Sequence, residues 1–406
     1  MRLRRRTRPT ASRGLPDDVR ILRPRTLAEA RDAVRDLPGA LMFAGSGTKA
    51  DWGAPPERLD GIVTTAALDQ LAEHRAGDLI AVVGAGMPLA KLNAALAGAR
   101  QQLALDPPFV DEGATVGGIV AANDAGPRRL RYGAPRDLVL GMTVVLADGT
   151  VARTGGKVVK NVAGFDLARL FTGSLGTLGL IAEIVLRLHP LPERSRTLRV
   201  SGPLASLAAL AWALGDSPVA PSAVDLADGA LWVRCEGRPQ AVAARADAAC
   251  HLAAAHGADE VELLDGPDED AAWERITTGH GGDEGDTVVR VAALPDRLVD
   301  VSRAAADAAE GAHRVTSHAA SGLHDVVFGP ADPAVHARAV GRLRRAISPL
   351  GGTLVVRRRA VGVDGLVDPW LDPAAPPPSA LPLMRAVKHA LDPDRRCAPG
   401  RQIGGI

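Results

Sequence analysis

Three glycine-rich turns, each beside an apolar strand-like run, fall between residues 43 and 181. The first is Phe43-Ala-Gly-Ser-Gly-Thr-Lys49. The second contains Thr115-Val-Gly-Gly118 and continues through small residues to Ala122. The third is Gly173-Ser-Leu-Gly-Thr-Leu-Gly-Leu-Ile181. Glycine permits positive φ and close approach of the backbone, so successive N–H groups in such turns can converge on an anion. A diphosphate is the natural guest of the 43–49 loop, with Thr48 adding a hydroxyl; a plain glycine-rich turn is the alternative for that loop alone. Small residues in the second turn suit close packing against a flat cofactor or a neighbouring helix. Three such turns beside strands argue for one extended ligand crossing one domain.

Two other nucleotide signatures fare worse. Val83-Gly-Ala-Gly86 follows a strand-like run, but Leu89 stands where a dinucleotide fingerprint needs its third glycine. The acid about 20 residues further on would be Asp106, which sits in an Asp-Pro-Pro turn. No Gly-Lys-Ser or Gly-Lys-Thr occurs, which excludes a Walker-type phosphate loop.

Periodicity divides the chain. Thr26 to Leu37 has a Thr cap, an acid three residues on, and helical spacing of apolar residues. Leu41–Ala44, Gly61–Thr65 and Leu79–Val83 read as strands, and Met87–Leu96 as a helix opened by Pro88. Val144–Ala152 reads as a hairpin turning at Asp148-Gly149, and Leu180–Leu188 as another β segment stopped by His189-Pro-Leu-Pro192. Beyond it, Ala-rich helical stretches (204–214, 239–256, 296–311, 333–347) alternate with strands at 230–234, 287–292 and 353–357. That pattern predicts an α+β module with helices on one face of an antiparallel sheet. The Pro-rich run 372–378 ends it, and a last helix, Leu381 to Leu391, precedes the tail. The expected organisation is a basic disordered tail (1–19), a first domain (20–192), an α+β cap (193–378), and a helix and tail (379–406) returning to the first domain.

Charge excludes some partners. Lys and Arg number 48 against 47 Asp and Glu, which gives no reason to expect nucleic acid. The first 13 residues carry six arginines and no acid, but no apolar stretch follows them, so an export signal is not expected. No apolar run reaches the roughly 18 residues of a membrane span, so no direct membrane insertion is expected and the protein is read as cytoplasmic, or peripheral to the inner membrane through partners. Cys235, Cys250 and Cys397 lie far apart without CxxC spacing and hold neither an iron–sulfur cluster nor a structural zinc.

The combined motifs resemble the vanillyl-alcohol-oxidase, or PCMH-type, FAD-binding flavoproteins, and within them the glycolate oxidase FAD-binding subunits. The resemblance rests on Gly45 to Gly53, Lys157-Val-Val-Lys-Asn-Val-Ala-Gly-Phe-Asp-Leu167, Leu170 to Ile181, and the tail Leu391 to Arg401. It implies an α+β protein: a two-lobed PCMH-type FAD-binding domain followed by an α+β cap domain with antiparallel sheet. It also implies that Phe43, Ala44, Gly45, Ser46, Gly47, Thr48 and Lys49 cradle the diphosphate of FAD. Thr115, Gly117, Gly118, Ala122, Asn123, Asp124 and Ala125 would lie along the cofactor, and Leu175, Gly176, Thr177, Gly179 and Ile181 would approach it. Some relatives tether the flavin through a His in the first loop; that position here is Thr48, so the FAD is expected to be non-covalent. The implied activity is oxidation of a small 2-hydroxy acid, glycolate or D-lactate, within a complex that includes a second flavin subunit and an iron–sulfur subunit.

The chain departs from its larger catalytic relatives in ways that bear on chemistry. Leu175 stands where Gly-Ser-Glu-Gly is usual, and the His-Gly-Asp and Gly-Glu-His-Gly segments are missing. A non-catalytic FAD-holding electron-transfer subunit, or a stand-alone FAD-dependent 2-hydroxy-acid oxidase, therefore remain open alternatives. Oxidising a 2-hydroxy acid needs a base, a cation for the carboxylate and a hydride acceptor. His280, His313, His318 and His324 are read as surface or core residues, and no catalytic base is named. Arg357 and Arg359, on one face of a strand, could meet a carboxylate or form a solvated strand end. Tyr132 has a place near the flavin or a packing role.

Overall fold

Residues 19–156, 166–372 and 377–406 are described by a computed structural model. The basic tail and nearly all of the Lys157–Leu167 motif lie outside the described residues.

Local signals read from the sequence become caps. Thr26 Oγ1 accepts the Glu29 N–H at 3.1 Å and the Glu29 carboxylate accepts the Arg25 N–H at 2.8 Å, opening the helix Leu27–Asp36. Its buried Ala30 and Val34 rest on a small parallel sheet in which Gly61–Thr64 lies between Arg20–Leu22 and Leu41–Ala44. The chain's end extends this sheet. Leu41 N–H donates to Arg396 O at 2.6 Å, and Ala398 N–H donates to Leu41 O at 2.7 Å.

A five-stranded antiparallel sheet follows, in the spatial order Leu71–Arg75, Ile80–Gly84, Leu180–Arg187, Val139–Val145 and Val151–Gly155. The expected hairpin is present with a wider turn. Only Gly149 takes positive φ (85°), while Asp148 closes the loop by accepting the Thr150 N–H at 2.8 Å. Pro88 caps the helix Leu89–Leu96 from outside instead of opening its first turn. The Gly84-Ala85-Gly86 turn owes its glycines to packing: a Cβ on Gly86 would lie 1.8 Å from Thr65 O, and one on Gly84 would lie 2.1 Å from Leu68 O.

The cap is one antiparallel sheet of eight strands. In spatial order they are Glu260–Leu264, Arg194–Ser201, Ala230–Gly237, Ala223–Ala227, His313–His318, Leu323–Phe328, Thr287–Ala292 and Thr353–Arg358. Period-two alternation sorts its faces. Leu231, Val233 and Cys235 pack under the helices Leu204–Gly215 and Pro239–Ala255, while Val289, Val326 and Val356 pack under Leu298–Ala308 and Pro333–Ile347. The one-face arrangement is incomplete, because the helix Gly266–Gly279 lies on the opposite face, where Trp273 and Ile276 meet Ala230 and Trp232. That same inner face carries Asp225, Arg290, Asp325 and Arg357, all buried or nearly so, toward the first lobe.

Candidate functional site

The three glycine turns meet around one cleft. All seven residues Phe43–Lys49 line it, with Thr115, Gly117, Gly118, Ala122, Leu175, Gly176, Gly179 and Ile181. The remaining expected residues stand behind or beside the wall. Thr177 is buried and donates its hydroxyl to Ser174 O at 2.8 Å, Ala125 is buried, Asn123 faces an adjoining cavity, and Asp124 belongs to a charge cluster described below. Sequence reading missed Met42, Ala50, Thr65, Ala85, Ala121 and Arg401 as lining residues. Arg401 had a signal, since it closes the tail motif; the others are ordinary apolar or hydroxyl residues that only folding brings there.

Local geometry explains the glycines. Gly47 has φ 81°, and a Cβ on Gly45 would sit 2.0 Å from Thr115 Oγ1. Thr115 Oγ1 in turn accepts the Gly118 N–H at 3.2 Å at the start of the helix Val116–Ala122. The tail holds the loop from behind, with Arg401 donating to Lys49 O at 3.3 Å and to Ala50 O at 2.9 Å. Lys388, also buried, donates to Thr177 O and Cys397 O and pairs with Asp392 at 2.6 Å.

A second cavity adjoins the first, sharing Ala122 and Leu175 as walls. Arg129, Arg290 and Arg357 line it together with Trp52, Trp370, Leu323 and Val355. Arg357 is buried, not a solvated strand end. It pairs with Asp124 of the first lobe, lies 3.6 Å from Asp325, and stacks on Trp52 at 3.7 Å from the ring centre. Arg290 is held by Asp325 through bonds of 2.8 and 2.5 Å. Arg359 faces elsewhere, bonding Asp364 and Asp51 O. Arg129 has no hydrogen-bonded anion among the described residues; its guanidinium is pushed down by burial and by the neighbouring Arg290 and Arg357 charges.

Two family models match separate parts of the chain. The FAD binding domain model covers residues 20–155, and the C-terminal domain model of FAD linked oxidases covers residues 208–402. The chain belongs to the FAD-linked oxidases. The glycolate oxidase subunit GlcE of Escherichia coli is 38% identical over 218 residues, 52% of this chain and 59% of that protein. The glycolate oxidase subunit GlcD of Bacillus subtilis is 39% identical over 154 residues, and the D-lactate dehydrogenase of Archaeoglobus fulgidus 39% over 150; each match covers 33% of that protein. The matched segments thus span between a third and three-fifths of these relatives' lengths. Among solved structures, alkyldihydroxyacetonephosphate synthase superposes with a TM-score of 0.68 at 15% identity, over 94% of this chain and 77% of that one, which shows the shared fold.

FAD, the cofactor of these oxidases, fits what the cleft lacks. The Lys49 ammonium is buried with no hydrogen-bond partner, 3.4 Å from an equally unbonded Asp124 oxygen, and Arg401 Nε is a second buried donor without an acceptor. Buried donors without an acceptor are costly and call for one. A diphosphate against the glycine loop would supply it.

In this FAD-linked oxidase the cap's inner face continues the charge cluster. His280 is buried between two carboxylates, Nδ1 to Asp325 at 2.6 Å and Nε2 to Asp225 at 2.9 Å. Burial alone would lower its pKa, but those two partners raise it, so both nitrogens carry protons. His318 stacks on it with ring centres 4.0 Å apart, and its Nδ1 lies 3.1 Å from both Asp225 oxygens. Burial and the His280 charge push His318 down to about 4. Asp225, His280 and His318 approach within 4.8 Å, a spacing compatible with a cation. The hydrogen bonding instead describes an ion-pair cluster whose positive charge is already supplied by His280 and Arg290. Tyr132, by contrast, packs at the lobe boundary, donating its hydroxyl to Glu236 at 3.0 Å.

These histidines set an acid limit on stability. Burial holds both His318 and His324 at about 4 against an ordinary 6.5, so the fold keeps them neutral while an unfolded chain binds protons. Their contribution is complete above the unfolded value and is lost as pH falls toward 4. His280, with its raised value, adds stability that is already constant below 6.5 and does not offset the loss. The thermal unfolding midpoint, followed by circular dichroism, is expected to fall by several degrees between pH 7 and pH 5, and His324→Gln is expected to flatten that slope.

Proposed function

We propose that this chain is an FAD-dependent component of a 2-hydroxy-acid oxidising complex, acting on a small acid such as glycolate or D-lactate. The observation that carries the reading is the three-arginine cavity opening beside the cofactor cleft. Counting Lys49, Arg129, Arg290 and Arg357 against Asp124 and Asp325 leaves the cluster cationic, and Arg129 is the guanidinium with no hydrogen-bonded anion among the described residues. A planar guanidinium beside apolar walls suits a small carboxylate. The names of the relatives, glycolate oxidase subunits and D-lactate dehydrogenase, support the same substrate class.

Phe43–Lys49, Thr115, Leu175, Ile181 and Arg401 would hold the cofactor, with the lines of contact already described. Bound there, FAD would supply hydride acceptance. Arg129 would orient the substrate carboxylate, and the apolar walls Leu323, Val355 and Trp370 would exclude water. The cofactor would be non-covalent, since no His, Cys or Tyr stands among the described residues lining the cleft.

Electrons would leave through a partner. Cys235 and Cys397 are buried thiols pushed by desolvation to about 11 and about 12, and the described cysteines form no cluster of ligands. An iron–sulfur subunit would supply the onward path, and a second flavin subunit would complete the assembly.

One observation favours the accessory reading. Among the described residues lining the arginine cavity, the only ionisable ones are the arginines. A hydroxyl proton therefore has no acceptor on the cavity wall itself. The test is anaerobic addition of glycolate or D-lactate to the purified flavoprotein. Bleaching of the flavin is the expected result; an unbleached flavin that still reduces inside the complex would make this chain an accessory. Arg129→Met should weaken binding of oxalate, read from the flavin spectrum, by about 10-fold to 100-fold, equivalent to the loss of a charge-assisted bond.

A further inference from the structure

The run Arg357-Arg-Arg359 at the end of the last cap strand sends its three side chains to different places. Arg358 donates to Gly282 O at 2.8 Å, and Arg359 bonds Asp364 and Asp51 O. Of the three, only Arg357 lines the arginine cavity, where its plane stacks on Trp52 and its Nη2 donates to Asp124. Nη1 is left over. It is buried without a hydrogen-bond partner, and the Asp325 carboxylate stands 3.6 Å away, beyond bonding distance. Asp325 is already committed, because its two oxygens accept Nε and Nη2 of Arg290.

A buried charged donor without an acceptor needs a reason. Arg129, on the short helix Arg129–Tyr132 of the first lobe, lines the same cavity and is the other open guanidinium there. The Arg357 charge pushes Arg129 down, so the two lie close enough to repel, and an anion between them would turn that repulsion into attraction. With Lys49 given to the cofactor diphosphate, the three arginines of the cavity face two carboxylates, Asp124 and Asp325. One positive charge is over. We propose that the carboxylate of a 2-hydroxy acid is gripped by both open guanidinia, Arg129 from the FAD lobe and Arg357 from the cap, so that the bound acid ties the two lobes together. The inference rests on the functional reading above and adds to it a second anion-binding residue.

The two guanidinia are prepared differently. Arg357 is fixed before any ligand arrives, by Trp52 on its face and Asp124 on one edge, so little rotamer freedom is lost when Nη1 finds an acceptor. Arg129 is less buried and supplies the arm that closes on the acid from the other lobe. A planar fork on each side also explains selection. An amide of the same shape brings an oxygen but no charge, and leaves two like-charged groups facing each other. The clamp therefore reads the acid group of the substrate and leaves the rest of it to the apolar walls Leu323, Val355 and Trp370.

The experiment titrates the FAD-loaded chain with pyruvate, the 2-oxo acid that corresponds to D-lactate, and with pyruvamide, its neutral isostere, reading binding from the flavin spectrum. The wild type is expected to prefer pyruvate by about 100-fold or more, as two charge-assisted bonds would give. Arg357→Lys keeps a charge beside Asp124 and Asp325 but has no second arm. It should weaken pyruvate by about 10-fold and leave pyruvamide and FAD binding unchanged. Combined with Arg129→Lys its effect should be non-additive, because both arms hold one carboxylate. A purely structural role would weaken both ligands together. Equal losses for pyruvate and pyruvamide, or wild-type pyruvate affinity in folded Arg357→Lys, overturn the proposal. If that variant does not fold, hydrogen exchange on the wild type decides. Pyruvate should slow exchange on both walls, around 123–133 and 353–358, and pyruvamide on neither; protection confined to the first lobe overturns the clamp. A wild type that binds pyruvate through Arg129 and is indifferent to Arg357 removes this inference alone. A wild type whose flavin spectrum responds to neither pyruvate nor oxalate removes the substrate reading, and the clamp with it.

Discussion

Gly45→Val is expected to yield a folded but colourless protein. The backbone at Gly45 is not in the left-handed region, so valine meets no conformational strain there. The obstacle is space. A Cβ would stand 2.0 Å from Thr115 Oγ1 and 3.1 Å from Thr115 Cβ, and Thr115 cannot withdraw without releasing the Gly118 N–H that it caps. The clash forces apart the first and second glycine turns, whose separation defines the cleft. A loss of at least about 100-fold in FAD affinity corresponds to about 2.7 kcal/mol, within reach of a single overpacked contact. Flavin absorbance after gel filtration and titration of the apoprotein with FAD would measure it. Gly98→Ala serves as the comparison, since nothing lies within 4 Å of its Cβ position. Gly45→Ala combined with Thr115→Ala should recover part of the affinity, because the Oγ1 contact is gone while the 3.1 Å one remains. Wild-type affinity in Gly45→Val would mean that FAD binds somewhere other than between these turns.

The glycine turns were legible in the sequence because their physics is local: a turn, a strand beside it, and no side chain to obstruct a phosphate. The same holds for Thr26 and its acid at Glu29, and for the helices Pro333–Ile347 and Leu381–Leu391, whose bounds follow from periodicity and flanking prolines. The charged cluster was not legible. Arg357 and Asp124 are 233 positions apart, and Asp225 meets His318 across 93. Arg357 looked like a candidate solvated strand end because the run Arg357-Arg-Arg359 gives no sign that one arginine is buried on aspartates while another turns away. The histidines were read as surface or core residues for the same reason: an Asp on the adjacent strand, not a neighbour in sequence, engages His318 Nδ1 and fixes its tautomer. Leu175 is a smaller case. It takes φ 53° at the cleft wall, a conformation that its sequence position beside Gly176 does not announce.

Arg357→Met is expected to be the most destabilising single change in the region between the lobes. Arg357 and Asp124 are both buried, and the bond between them joins the cap sheet to the FAD lobe. Burial by itself would raise the Asp124 carboxyl, but Arg357 and Lys49 more than offset that and hold it below its ordinary value. Removing the guanidinium leaves Asp124 facing Lys49 alone and strips Asp325 of one of its two arginines. Breaking a buried pair in this way costs about 3–5 kcal/mol, whereas replacing both partners by uncharged groups costs much less. Asp124→Asn combined with Arg357→Met should therefore unfold in urea well above the midpoint expected from adding the two single changes. The sign of the pH dependence separates charge from packing. In Arg357→Met the uncompensated carboxyl rises toward neutrality, so acid protonates it in the folded state and relieves the penalty; the stability gap to wild type should narrow from pH 7 to pH 5. A gap that stays constant over that range would place the cost in the lost stacking on Trp52, and the lobes would then be held together by packing more than by this ion pair.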